Sequence, residues 1–152
     1  MELFLLAQFL ESRHDAVSDV TFILDASKSA SSAFLSLKGF LLKVMSRFTF
    51  SSQFGLISVG DSASYSIAHG DTRSFEDFKA EMNRIALVGG NSANIEASLK
   101  ESLRILEDQN SGLRKGIPKV FILLTTSNRK SSGKEMELMQ KIQALGMCLL
   151  LL

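Results

Sequence analysis

Two segments, Val20-Thr21-Phe22-Ile23-Leu24 and Val120-Phe121-Ile122-Leu123-Leu124, are near-continuous runs of apolar and β-branched residues. A strand with one face in water alternates apolar with polar side chains. An unbroken apolar run of strand length instead fits a strand buried on both faces, which is the situation in parallel sheets covered by helices. This feature constrains the fold most.

The remaining chain supplies those helices in turn. Ser29, Ser31 or Ser32 is expected to cap a helix reaching about Phe48, with Phe34, Leu37, Leu41, Val44 and Phe48 at helical spacing. Gly55 to Gly60 reads as a second strand, and Ala63 to Ala68 as an edge strand reached by a Gly60-Asp61-Ser62 hairpin turn, with Tyr65 and Ile67 on one face. Ser74 heads a helix with Glu76 and Asp77 in its first turn, where carboxylates suit the helix dipole, and the helix carries Phe75, Phe78, Met82 and Ile85. Gly89-Gly90-Asn91 breaks the chain before a helix from Ile95 to about Glu107 that presents Leu99, Leu103 and Leu106. Pro118 precedes the second apolar run. Ser132-Gly133 opens a helix carrying Met136, Met139, Ile142 and Leu145, stopped by Gly146 before a last strand, Met147 to Leu152.

The order β-α-β-β-α-α-β-α-β implies a doubly wound α/β fold, a mostly parallel sheet with one antiparallel edge strand and helices on both faces. Ligands of such sheets bind beyond the carboxyl ends of the strands, where the strand order reverses. The residues following Leu24, Val88 and Leu124 are therefore the places to look for chemistry.

Charge and cysteine content narrow the function. With 17 basic and 16 acidic residues the net charge is +1, and Asn128-Arg129-Lys130 is too short a basic cluster to track a phosphate backbone, so nucleic acid is not expected as a partner. The single cysteine, Cys148, excludes an internal disulfide and a cysteine-rich zinc site, and its apolar neighbours make it a buried hydrophobe. Met1 to Leu10 lacks the basic start and small-residue cleavage site of a leader peptide and reads as a short amphipathic helix within a segment, 1–18, that precedes the domain. No apolar run approaches the ~20 residues of a membrane span, so membrane insertion is not expected.

After the first strand comes Asp25-Ala26-Ser27-Lys28-Ser29. A carboxylate and two hydroxyls at alternate positions of a tight loop can aim three oxygens at one point, a donor set suited to a hard cation such as Mg²⁺. The same residues also serve as a strand-to-helix turn with capping hydroxyls.

"VTFILDASKS" (Val20 to Ser29) resembles the first strand and metal-site loop of the von Willebrand factor A family. "FGLISVGDSASYSI" (Phe54 to Ile67) resembles that family's second and third strands, "GGNSANIEASL" (Gly89 to Leu99) its glycine-rich loop and the helix after it, and "GIPKVFILLTTS" (Gly116 to Ser127) its fourth strand. The stretch "SGLRKGIPKVFILLTTSNRKSSGKEM" is most similar to the amino-terminal A modules of collagen VI α chains.

The resemblance covers roughly 19–152 and implies a Rossmann-like domain that is incomplete at its carboxyl end, since the family pattern continues with a helix, a sixth strand and a closing helix. It also implies an adhesion-type metal site at Asp25, Ser27, Ser29, Ser92 and Thr126. The family carries aspartate where this chain has Thr126, and it tends to Thr-Gly where this chain has Asn94-Ile95. Losing one of about two carboxylates weakens a Mg²⁺ site, so the site is expected to be weak or vestigial and no cofactor is expected. The implied function is non-enzymatic interaction with extracellular matrix proteins or other collagen chains, in a secreted protein. The alternative is Mg²⁺-dependent adhesion to an acidic residue of a partner.

Enzymatic readings find little support. Gly60-Asp61-Ser62 only faintly resembles a hydrolase nucleophile block, and the sole histidines, His14 and His69, are not placed for a triad. Both read as exposed polar residues. Gly89-Gly90 follows a helix, unlike a dinucleotide fingerprint, and Ser132-Gly133-Lys134 lacks the rest of a phosphate loop. The phenylalanines sit at core spacing, and Lys100, Glu101, Arg104 and Glu107 form a solvated helix face.

Overall fold

The computed structural model describes Gln8 and residues 16–49, 51–126, 132–145 and 148–151. The amphipathic helix expected over Met1 to Leu10, His14, the helix-stopping Gly146 and the burial of the Cys148 side chain lie outside what is described.

Strand β1 (Asp19–Asp25) is buried along its whole length, as its unbroken apolar run requires. It lies at the centre of a sheet ordered β3-β2-β1-β4-β5, where β2 is Gln53–Val59, β3 Ala63–Ile67, β4 Lys119–Leu124 and β5 Cys148–Leu151. Pairing is parallel from β2 through β5, and β3 alone is antiparallel, on the β2 edge. Strand order runs outward from β1 to β3 and then jumps back to β4, so the reversal falls between β1 and β4.

Alternate residues of each strand face opposite layers. Val20, Phe22 and Leu24 of β1 join Val120, Ile122 and Leu124 of β4 against helices α1 (Phe34–Met45) and α2 (Phe75–Arg84). Ile23, Phe121 and Leu123 face helices α3 (Ile95–Glu107) and α4 (Gly133–Ala144). Phe22, Phe48, Phe54 and Phe78 pack ring against ring in the first layer, with centroids 5.9–6.3 Å apart.

Four local expectations are corrected. Tyr65 and Ile67 face opposite layers, because a register shift between Leu56 and Ile57 pairs Ile57 with Tyr65 and Leu56 with Ile67. No serine caps α1. Lys28–Ala30 forms a single 3₁₀ turn, Ala33 occupies the cap position without a side-chain bond, and the helix ends at Met45 rather than about Phe48. In α4 Met136 and Leu145 are exposed, and Leu138 takes the buried position beside Ile142. In α3 the leucine spacing pointed to Leu99, Leu103 and Leu106, but its most deeply buried apolar residues are Leu99 and Ile105.

Candidate functional site

Asp25 is the last residue of β1, at the reversal point of the sheet, and its side chain is almost wholly buried. Its Oδ1 accepts the backbone N–H of Ser27 at 3.1 Å and the Ser27 hydroxyl at 2.7 Å. That hydroxyl has spent its one proton on the carboxylate, so Ser29 must be the donor in the 2.9 Å contact between Ser29 Oγ and Ser27 Oγ. From the other side, at the end of β4, the hydroxyls of Thr125 and Thr126 reach Asp25 Oδ2 at 3.2 and 3.4 Å, with the Thr126 N–H at 3.5 Å.

The structure thus brings together Asp25, Ser27, Ser29 and Thr126, and adds Thr125, which the sequence had not singled out. Ser92 is different. The loop that carries it is laced to the site by Val88 N–H to Ala26 O at 2.9 Å and Lys28 N–H to Gly90 O at 2.9 Å. Ser92 itself is exposed, and among the described residues no hydrogen bond joins it to Asp25, Ser27, Ser29 or Thr126. Asn94, where the family tends to carry threonine, has a structural task. Its Oδ1 caps α3 by accepting Ala97 N–H, and its Nδ2 donates to Asp61 O. Gly90, at φ 80°, packs against Asp61 so closely that a Cβ would stand 2.3 Å from its Oδ1.

These oxygens match a hard cation in kind but not in charge. A carboxylate offers about four lone-pair sites, and those of Asp25 are met by protons from its own chain. Among the described residues no group of three or more His, Cys, Asp or Glu side chains is placed to hold a metal, and no lysine or arginine pairs with Asp25. The site offers an ion one carboxylate, that of Asp25, with hydroxyl oxygens from Ser27, Ser29, Thr125 and Thr126 around it.

A second polar cluster lies at the opposite end of the sheet, and it corrects the expectation for His69. The turn at Gly70-Asp71 is real, but the imidazole points inward and is 3% exposed. Its Nε2 meets Val20 O at 3.0 Å and Thr21 Oγ1 at 3.3 Å, and its Nδ1 makes a short hydrogen bond with the Tyr65 hydroxyl. Tyr65 also donates to Ser111 O at 2.9 Å and accepts the His69 N–H at 2.8 Å. Burial pushes the imidazole down to about 4 and the phenol up to about 12. The sequence signal for this cluster is Gly55, inside β2. A Cβ there would stand 2.4 Å from His69 Cε1, so only glycine leaves room for the ring. Gly60-Asp61-Ser62 forms the expected hairpin turn, with Gly60 N–H donating to Ser62 O.

A central parallel sheet with helices on both faces and a lone Asp-x-Ser-x-Ser carboxylate at its reversal point defines a ligand-face α/β module. The von Willebrand factor type A domain model matches residues 19–149, and the chain belongs to that family, whose domains act in protein–protein interaction. No curated protein matches the chain.

Among solved structures it is similar to proximal thread matrix protein 1 from the mussel byssus, at 19% identity and a TM-score of 0.81, over 91% of this chain and 38% of that one. A form of that mussel protein with a zinc-occupied metal-ion-dependent adhesion motif matches at 24% identity and a TM-score of 0.72, over 91% and 36% of the two chains. The conserved hypothetical protein BatB from Bacteroides thetaiotaomicron matches at 15% identity and a TM-score of 0.71, over 88% and 65%. The chain spans little more than a third of the length of the mussel proteins. Among the described residues no helix is long and apolar enough to cross a membrane.

Proposed function

We propose that the chain is a non-enzymatic interaction module of a secreted, collagen VI-like extracellular matrix protein, with residues 19–152 as the binding domain and a vestigial metal site. The observation that carries this reading is the saturation of Asp25, both of whose carboxylate oxygens accept protons from Ser27, Thr125 and Thr126. Where the family has a second carboxylate, Thr126 supplies a hydroxyl, and the hydrogen bonds it makes replace attraction to a cation. Partner contacts then come from the loops around the site without metal. Leu87 and Val88, 40% and 52% exposed on the loop bonded to Ala26, supply apolar area there. The matrix description of the mussel proteins and the collagen VI-like stretch 111–136 support the extracellular assignment.

A second reading, Mg²⁺-dependent adhesion to an acidic partner residue, is favoured by the convergence of Asp25, Ser27, Ser29 and Thr126 and by the zinc-occupied motif of the mussel protein. Isothermal titration with Mg²⁺, Mn²⁺ and Zn²⁺ separates the two. The vestigial reading expects no saturable binding at millimolar ion, and binding in Thr126→Asp. Millimolar or tighter binding to the unaltered chain, lost in Asp25→Ala, establishes the second reading instead.

A further inference from the structure

Among the described residues, two buried side-chain polar atoms find no hydrogen-bond partner in the protein, Ser18 Oγ and Gln53 Oε1. They lie side by side at the end of the sheet opposite Asp25, where Gln53 N–H donates to Ser18 O at 3.1 Å. A buried carbonyl oxygen without a donor costs stability, and nearly every such atom in a folded protein is satisfied. A leucine would fill the place of Gln53 without that cost, so the amide marks a position where another molecule can bring the missing donor.

Gln53 lines a cavity of about 670 Å³, a size suited to a small ligand. Its apolar wall is made by Met45, by Phe48 beyond the end of α1, by Phe54 of β2 and by Phe75 of α2. The Phe48 and Phe54 rings pack edge to face, and Phe75 remains 38% exposed. Several hydroxyls of the polar wall are already engaged. Ser46 Oγ donates to Lys43 O, Ser52 Oγ accepts Ser18 N–H, and Ser74 Oγ accepts Asp77 N–H.

One ionic residue lines the cavity, Arg73. Its backbone N–H donates to Asp77 Oδ2 at 3.2 Å, but its guanidinium makes no ion pair or hydrogen bond among the described residues. The planar fork of a guanidinium matches a carboxylate in shape and charge. The terminal torsion of a glutamine is soft, so the Gln53 amide can turn its oxygen to a donor in the cavity. Apolar wall, unpaired cation and lone acceptor together describe one kind of molecule, an acylated amino acid with an apolar side chain and a free carboxylate.

We propose that this cavity binds such an acylamino carboxylate, whether the end of a peptide or a free N-acyl amino acid. Its carboxylate meets Arg73, its amide N–H meets Gln53 Oε1, and its side chain lies against Phe48, Phe54 and Phe75. The site is separate from the Asp25 cluster and does not depend on how that cluster is used.

Three matched probes test each contact by isothermal titration and by amide NMR shifts of the full chain. N-acetyl-phenylalanine carries all three groups, N-acetyl-phenylalaninamide lacks the carboxylate, and hydrocinnamate lacks the N–H. N-acetyl-phenylalanine should bind saturably at millimolar concentration, with shifts confined to 45–49, 51–54 and 70–75. It should bind at least about tenfold tighter than the amide and about threefold tighter than hydrocinnamate. Arg73→Gln should erase the preference for acid over amide, and Gln53→Leu the preference over hydrocinnamate. The proposal is overturned if N-acetyl-phenylalanine does not bind, if the amide binds as tightly, if the shifts fall elsewhere, or if either variant keeps the preference assigned to its residue. Should Gln53→Leu not fold, Arg73→Gln and the order of the three probes decide. A tripeptide ending in phenylalanine tells the two sources apart: tighter binding than N-acetyl-phenylalanine indicates a peptide end, and equal or weaker binding a free acylamino acid.

Discussion

Arg114 closes on the buried carboxylate of Asp19 across 95 residues of chain, with Nε at 2.8 Å and Nη2 at 2.6 Å from Oδ1, and its backbone N–H at 2.7 Å from Oδ2. Asp19 opens β1 with no exposed surface, and Lys119 Nζ stands 3.5 Å from its Oδ2. Removing one partner of a buried pair leaves the other desolvated and uncompensated, which costs about 3–5 kcal/mol where burial is complete. Arg114 is partly exposed and Lys119 remains, so Arg114→Ala should cost about 2–3 kcal/mol in urea unfolding. The double variant Asp19→Asn, Arg114→Met should lose less than the two single changes together. Additive losses would show that the two residues are not energetically coupled.

Two glycines should respond in opposite directions. Gly112 sits at φ 87°, and a Cβ there would meet His69 O at 1.9 Å, a backbone atom that cannot rotate away. Gly112→Ala should therefore cost more than about 2 kcal/mol. Gly39 lies inside α1 with nothing within 4 Å of an added Cβ. Gly39→Ala should gain about 0.5–1 kcal/mol, because alanine loses less backbone entropy in a helix. Denaturant midpoints measure both, and a shift in the same direction for the pair would contradict the packing described here.

The fold was legible because its signals are local and repeated. The run Val20–Leu24 marks a strand buried on both faces, and α3 begins at Ile95 and ends at Glu107 as its leucine spacing and glycine break imply. The clustering of Asp25, Ser27 and Ser29 was legible because a tight loop forces them together whatever surrounds them. Long-range choices were not. The turn beside His69 was visible, but which way the ring points depends on space left at Gly55 in another strand. The facing of Tyr65 and Ile67 depends on a bulge that no alternation reveals. The Asp19–Arg114 pair joins two polar residues that each look like ordinary loop or surface positions. Ser92 matched a pattern by position; its side chain is exposed, and among the described residues it makes no hydrogen bond to the Asp25 cluster.

Ser132 and Glu135 form a reciprocal cap at the start of α4, Ser132 Oγ accepting Glu135 N–H at 3.2 Å and Glu135 Oε2 accepting Ser132 N–H at 3.0 Å. Ser132→Ala leaves a first-turn N–H without its acceptor and should cost about 1 kcal/mol, read from thermal or urea unfolding. Ser132→Asp, which keeps an acceptor oxygen, should recover most of that loss. A loss as large in Ser132→Asp as in Ser132→Ala would mean that the cap bond is not the source.

The vestigial reading of the strand-end site also makes a prediction about stability without any partner. Thr126 Oγ1 is 3.4 Å from Asp25 Oδ2, so Thr126→Asp places a second carboxylate against a buried one and replaces a donor with an acceptor. Two like charges about 4 Å apart repel by about 4 kcal/mol at an effective dielectric of 20, and side-chain movement relieves part of this. In chelator at neutral pH the variant should therefore be less stable than the parent by about 1–3 kcal/mol. Adding millimolar Mg²⁺ should raise its melting temperature, because an ion bound only by the folded state stabilises in proportion to the logarithm of its concentration over Kd. The parent's melting temperature should not respond to Mg²⁺, since hydroxyl protons already occupy the oxygens an ion would need. A Mg²⁺-dependent rise in the parent equal to that in Thr126→Asp would overturn the vestigial assignment, since the hydroxyl at 126 would then serve the cation as well as a carboxylate.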